Sequence, residues 1–314
     1  MCDTVLKNGD IVVAAARRTH MLDDLVAQYS TARVLVVKTD VVQPQSVSQT
    51  FARAKDAFGR IDVVFNNAGY THLGEVESVQ DVDARALFDT NFWGAVSVTR
   101  EAVKFFRESD PPGAGGRLLQ MTSMYGIAGV PCSAFYSASK HGKQHNISIA
   151  GGTSDAEWTT LSKLWKDLRR VSSKSSTRLG TSRRGRLSSD VTHGAQSGLA
   201  QITLLEPGVF QTELTSNSLK WTPPHPAYLT SPLTSATREG WDGRVYPGNT
   251  TKAVDAFYRV TALPEPPLHF ILGTDAIPLI KNELAELGND LARYESWSDD
   301  VVLTPGEGSA PETI

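Results

Sequence analysis

Tyr136 and Lys140 stand four residues apart in "YSASK", a spacing that puts two side chains on one helical face, one turn apart. A phenol titrates near pH 10, too high for easy proton exchange at neutral pH, and a nearby ammonium stabilises the phenolate and lowers that value. The pair is therefore a candidate proton donor for an oxygen that gains charge during reaction. Ser123 lies thirteen residues before Tyr136, in "MTSMYG", and its hydroxyl can both donate and accept. Each residue also has an ordinary reading. Ser123 caps a turn, Tyr136 is a half-buried aromatic, Lys140 a solvated helix charge, and Asn91 a mid-helix polar residue bonded to a backbone carbonyl. Tyr125 has no comparable partner, because Gly129 stands four residues on.

Such side chains need a scaffold, and the chain alternates short β-rich apolar runs with helix-period segments, the pattern of a parallel sheet covered by helices. "DIVVAAARR", "RVLVVKTDV", "IDVVFNNAG", "RLLQMTS", "AQITLLEPG" and "PLHFILG" read as strands. "QSVSQTFARAKDAFG" places Val47, Phe51, Ala54 and Phe58 at helical spacing. "DVDARALFDTNFWGAVSVTREAVKFFRE" reads as one long helix, and "IPLIKNELAELGNDLARYESW" as an amphipathic one with Leu279, Leu284, Leu287 and Leu291 near one face. Ligands of such sheets bind beyond the carboxyl ends of the strands. Asp40, "NNAG" at 66–69, Ser123 and "EPG" at 206–208 stand there.

"NNAG", "DTNFWG" at 89–94, "MTSMYG" at 121–126, "YSASK" at 136–140 and "EPGVFQT" at 206–212 occur in an order and spacing that resemble the short-chain dehydrogenase/reductase family, from about residue 9 to 142 and from 200 to 297. The resemblance implies an α/β, doubly wound, Rossmann-like parallel sheet forming a single domain over residues 1–314. It also implies hydride transfer between a nicotinamide dinucleotide and a ketone or secondary alcohol. In that scheme Tyr136 donates the proton, Lys140 lowers its pKa and holds the ribose, Ser123 orients the carbonyl, and Asn91 holds a water of the relay. Asp40 matches the acid near the adenine, Asn67, Ala68 and Gly69 the adenosine turn, and Pro207, Gly208, Val209 and Thr212 the nicotinamide segment. Arg17 and Arg18 lie where the family places basic residues against a ribose 2′-phosphate, which favours NADP(H) over NAD(H); a solvated arginine pair is the plainer alternative. "KAVDAFYRVTALPEPPLHFILGTDAIPLIKNELAEL" resembles a subgroup of steroid-, retinol- and polyketide-type carbonyl reductases, some of them in secondary metabolism. Residues 215–247, with Trp221, Tyr228 and Trp241, are expected to form a lid over a bulky apolar substrate.

The chain departs from the family pattern twice. Residues 1–9 match only the tail of the first helix, so the expected first strand and its TGxxxGxG turn, whose amides cradle a diphosphate, are missing. Without that central strand, the strands at 11–16 and 34–39 either pair directly with the one at 61–66 or are loose. Between Lys140 and Pro207 stand 66 residues, far more than the family spacing, and a disordered-like insert is expected at about 143–198. Between Lys163 and Arg186 nine lysines and arginines accompany one acid, Asp167. A retained intron or shifted frame, a regulatory insert and a plain disordered loop all fit this stretch.

Composition bounds the alternatives. A net charge of -3 argues against a nucleic-acid protein as a whole, although a nucleic-acid module through 163–186 would give salt-dependent binding. The two cysteines, Cys2 and Cys132, give no disulfide framework or metal cluster. No apolar run is long enough to span a membrane, and "MCDTVLKNGD" lacks a signal-peptide core, so a cytoplasmic protein is expected. Homo-oligomerisation through the YxxxK helix is implied by the family but put in doubt by the insert. A catalytically inactive relative that cannot hold the dinucleotide is the competing reading.

Overall fold

The computed structural model describes residues 1–111, 114–150, 200–212, 218–241, 246 and 248–301. The strands are β1 (Val12–Ala16), β2 (Val34–Lys38), β3 (Val63–Asn66), β4 (Thr71–Leu73), β5 (Gly116–Met121), β6 (Ala200–Pro207), β7 (Leu219–Trp221) and β8 (His269–Leu272). The helices are α1 (Cys2–Lys7), α2 (Asp23–Gln28), α3 (Pro44–Phe58), α4 (Asp81–Phe88), α5 (Ala95–Glu108), α6 (Ala134–Ala150), α7 (Pro232–Trp241), α8 (Thr250–Val260) and α9 (Ala276–Tyr294).

The centre is a parallel sheet in the order β3-β5-β6-β8. Neighbouring residues on its strands point to opposite faces, and the sequence supplies an apolar side chain for each. Leu118 and Leu204 pack with Val47, Phe51, Ala102, Phe105 and Phe106 of α3 and α5. Leu119 and Leu205 face the other way, onto Ala253, Phe257 and Val260 of α8. Each of these buried leucines contributes roughly 1.5–3 kcal/mol. This is the expected doubly wound α/β arrangement. Helix α3 has the local grammar to match, with proline in its first turn and Gly59 closing it at φ 77, a left-handed backbone that glycine adopts without strain.

Strands β1 and β2 form a separate parallel pair, packed by Leu6 of α1 against Val12, Ala14 and Val34. Among the described residues β1 is not paired with β3, so of the two arrangements expected for these edges the direct pairing does not occur. The short β4 and β7 form a third sheet.

Three readings of the sequence need correction. The single long helix is interrupted between α4 and α5 by a π-helical turn, Asp89–Gly94. The YxxxK helix does not end near residue 142, since α6 continues to Ala150 and buries Lys143 and Gln144. That start of the expected insert is helical; residues 151–198 lie outside the described residues. The apolar stripe of α9 buries only Ala276 and Ile280, leaving Leu284, Leu287 and Leu291 exposed, because the helix runs past the end of the core.

Candidate active site

Ser123 stands two residues beyond β5 in extended backbone, and its Oγ accepts a 3.2 Å hydrogen bond from Tyr125 N. The turn it caps leads to α6, whose first helical turn carries Tyr136. Tyr136 is 6% exposed and Lys140 4%, with the ammonium 5.6 Å from the phenol ring centre. Lys140 Nζ donates to Met121 O at 3.3 Å, which ties it to the end of β5. The structure thus brings Ser123, Tyr136 and Lys140 to one point beyond the sheet.

Burial pushes the Tyr136 phenol above its ordinary value, while the Ser123 and Thr71 hydroxyls facing it act in the opposite direction. The net direction is opposite to the one expected from Lys140, because loss of hydration is the largest influence on the buried phenol. Burial brings Lys140 down to about 8. Lys143 is 1% exposed, its Nζ has no hydrogen-bond partner among the described residues, and burial followed by the neighbouring Lys140 charge holds it well below the usual lysine range. Two buried ammonium groups in one helix work against folding, as expected where chemistry rather than stability sets the residue types.

Asn91 sits in the π-helical turn, fully buried. Its Oδ1 accepts from Tyr70 N at 3.0 Å, and its Nδ2 donates to Tyr70 O at 2.9 Å and Ser139 Oγ at 3.1 Å. It therefore fastens the loop after β3 to α6, a clamp in addition to the relay role that the family pattern suggests. A Cβ on Gly69 would lie 2.9 Å from Asn91 Oδ1 and 3.6 Å from Lys140 Nζ, so only glycine lets that backbone pass. Asn67 and Ala68 precede it in the same loop.

On the other side of α6, Gln144 Nε2 donates to the buried Glu206 Oε1 at 3.0 Å, and His269 Nδ1 stands 2.9 Å from the same oxygen. Glu206 raises the histidine's pKa. Pro207, Gly208 and Val209 continue from β6, where Val209 N donates to Asp275 Oδ2 at 2.7 Å and a Cβ on Gly208 would collide with that carboxylate. Thr212 is exposed farther along the loop.

The remaining predicted residues gather at the end of the separate β1–β2 pair. Ala16 is in register with Lys38, which brings Arg17, Lys38, Thr39, Asp40, Gln43 and Ser46 around a cavity of about 240 Å³. Asp40 Oδ1 accepts from Val42 N at 3.1 Å. Arg18 is exposed and does not line this cavity. Sequence reasoning missed Lys38, Thr71, Gln144 and Asp275. Lys38 ends a strand beside Arg17, and Asp275 precedes a helix, so both had a positional signal; Thr71 and Gln144 had none.

A family model for short chain dehydrogenases matches residues 1–149. An uncharacterized oxidoreductase of Schizosaccharomyces pombe is 29% identical over 313 residues, covering 98% of this chain and 89% of that protein. Over its first 149 residues the chain is similar to the short-chain dehydrogenase family. Further curated relatives span shorter stretches, and this chain covers half of their length or less. Among solved structures, a short-chain dehydrogenase of Streptomyces avermitilis superposes with a TM-score of 0.72 at 24% identity, over 96% of this chain and 93% of that one. A short chain dehydrogenase of Burkholderia cenocepacia, in complex with NADP, superposes at 0.56 and 19% identity over 96% and 91%. These likenesses establish the fold. No helix among the described residues is long and apolar enough to cross a membrane, and the described residues contain no cluster of three side chains able to hold a metal.

Proposed function

We propose that this chain is a short-chain dehydrogenase/reductase that interconverts a ketone and a secondary alcohol on a bulky apolar molecule with NADP(H), as one domain whose residues 215–247 cover the substrate. The observation that carries the reading is the buried meeting of Ser123, Tyr136 and Lys140 at the end of β5. The residues also suit the two ends of a dinucleotide. Arg17 and Lys38 present two cations in a cavity beside Asp40, which matches a ribose 2′-phosphate better than a bare diol. Lys140, Gly69 and the Pro207–Thr212 loop stand at the reacting end.

The dinucleotide supplies or accepts the hydride. This chain's residues handle the proton and the geometry. Ser123 Oγ donates to the substrate carbonyl oxygen and fixes its orientation, and Tyr136 gives its hydroxyl proton to that oxygen as charge develops. A Tyr136 kept protonated by burial is a ready donor for reduction. Lys140, with a pKa of about 8, supplies positive charge that stabilises the phenolate once the proton has left. Asn91 holds Tyr70 and Ser139 in register around them.

A second reading, a relative that keeps the fold but does not hold the dinucleotide, is favoured by one observation. The described residues contain no glycine-rich turn that opens a helix, the element that would cradle a diphosphate. Titration of the 314-residue chain with NADPH, followed by nicotinamide fluorescence, decides between them. Saturable micromolar binding with oxidation of NADPH by a ring ketone supports the enzyme; no binding supports the second reading.

A further inference from the structure

The lid and the catalytic wall meet at a joint that the proton chemistry does not use. Strand β4 leaves the loop that holds Gly69 and pairs in parallel with β7, the first described strand of the lid, placing Thr71 opposite Leu219 and Leu73 opposite Trp221. Thr71 N donates to Ser218 O at 3.3 Å and Thr222 N to Leu73 O at 2.9 Å, while His72 Nε2 and Thr222 Oγ1 are 2.8 Å apart. Three residues on each side make a weak sheet by themselves.

What reinforces it is an ion pair two residues beyond β4. Arg238 of α7 donates to both oxygens of Glu75, from Nη2 to Oε2 at 2.7 Å and from Nε to Oε1 at 3.2 Å. Its Nη1 donates to Thr222 O at 3.1 Å, and the guanidinium stacks over Trp221 at 4.8 Å. Its fork therefore grips β4's extension, β7's end and the ring on β7 at once. The Glu75 side chain is only 7% exposed and the Arg238 side chain 20%. Burial works to raise the Glu75 carboxyl, yet Arg238 and nearby peptide N–H groups bring it below its ordinary range. The wall side is also fixed, since Gly74 N donates to Cys132 O at 2.8 Å, in the loop leading to Tyr136.

Thr71 connects this joint to the chemistry. It is 1% exposed, and its hydroxyl faces that of Tyr136. The strand on which the lid docks thus carries a buried hydroxyl facing the candidate proton donor.

We propose that Glu75 and Arg238 form a latch that seats the lid on β4 and, through β4, positions Thr71 against Tyr136. This assignment rests on the functional reading above. Glu75 and Arg238 are positioning residues that act through β4, so a seated lid and an aligned proton donor become one event rather than two.

The test uses the full chain with Glu75→Gln, Arg238→Lys, Thr71→Val, and the exchanged double variant Glu75→Arg with Arg238→Glu. Backbone hydrogen exchange at Thr71 and Thr222 reports lid seating without requiring turnover. Protection should fall about tenfold or more in Glu75→Gln, less in Arg238→Lys, and recover in part in the double variant, which leaves neither charge unpaired. Protection at Leu118 and Leu205 should hold throughout. With NADPH and isatin as the probe carbonyl, Glu75→Gln should raise KM about tenfold, whereas Thr71→Val should lower kcat about tenfold with KM unchanged. Unchanged protection at Thr71 and Thr222 in Glu75→Gln overturns the latch. So does an equal loss at Leu118 and Leu205, which would mark general destabilisation. If wild type itself fails to turn over isatin or any other ketone, the functional reading falls, and exchange still decides whether the latch exists.

Discussion

The two ends of the candidate site stand on unequal foundations. Ser123, Tyr136 and Lys140 rise from a four-stranded sheet with a packed apolar cluster on each face. Arg17, Lys38 and Asp40 rise from a two-stranded pair held by one smaller cluster around Leu6, with Ile11, Met21 and Val42 exposed nearby. Proton transfer requires groups fixed to fractions of an ångström, whereas attraction between two cations and a phosphate tolerates looser placement. The difference teaches that the fold spends its burial where the geometry is strictest.

The comparison can be broken from the chemical end first. Tyr136→Phe should lower turnover about a hundredfold or more while leaving NADPH binding nearly intact, measured by steady-state kinetics beside fluorescence titration. Equal loss of both would mean that the two ends are not separable.

The catalytic half should also carry a stability cost. Lys143→Met, which removes a buried amine with no hydrogen-bond partner among the described residues, should stabilise the protein by roughly 1–3 kcal/mol at neutral pH in denaturant unfolding. The pH dependence gives the sign independently. Lys140 titrates at about 8 when folded against an ordinary 10.5. Between those values the unfolded chain binds more protons, so stability rises as pH climbs through the interval. Lys143→Met should reduce that rise without abolishing it.

At the other end, Arg17→Ala should weaken NADPH about tenfold and NADH hardly at all, with kcat preserved at saturation. An equal effect on both cofactors would remove the 2′-phosphate assignment. The smallest effect belongs to His269. Glu206 raises its pKa above the ordinary 6.5, so its contribution is complete below that value and is lost as pH rises through the folded-state pKa. His269→Gln should flatten the slope of stability from pH 6 to 8, and an unaltered slope would show that the contact carries no proton linkage.

Much of this was legible in the sequence because local pattern sufficed. Adjacent leucines at 118 and 119 and at 204 and 205 require a sheet covered on both faces, and YxxxK spacing requires one helical face. The fate of α6 after Gly142 was not legible. Lys143 and Gln144 look like surface residues, and only the position of Glu206 on a neighbouring strand explains why Gln144 turns inward. Thr71 was hidden for a similar reason, since its neighbour Tyr136 lies 65 positions away and nothing in "GYTHLGE" marks it. The separation of β1 from β3 is a fact of strand pairing, which no single segment encodes.

The π-helical turn at Asp89–Gly94 sets an unusual rule for tolerated change along the helix that contains it. Such a turn holds one residue more than an α-helix closes in the same advance, so deleting any single residue there restores ordinary helix. The flanking helices would keep their relative phase, because the residue removed is the one the turn carries in excess. Helix α5 would still present its apolar stripe to Leu118, while Asn91, inside the turn, would lose its placement against Tyr70 and Ser139. A one-residue deletion here would therefore spare the packing and cost the site alone, which makes the extra residue a feature kept for Asn91 rather than for the helix.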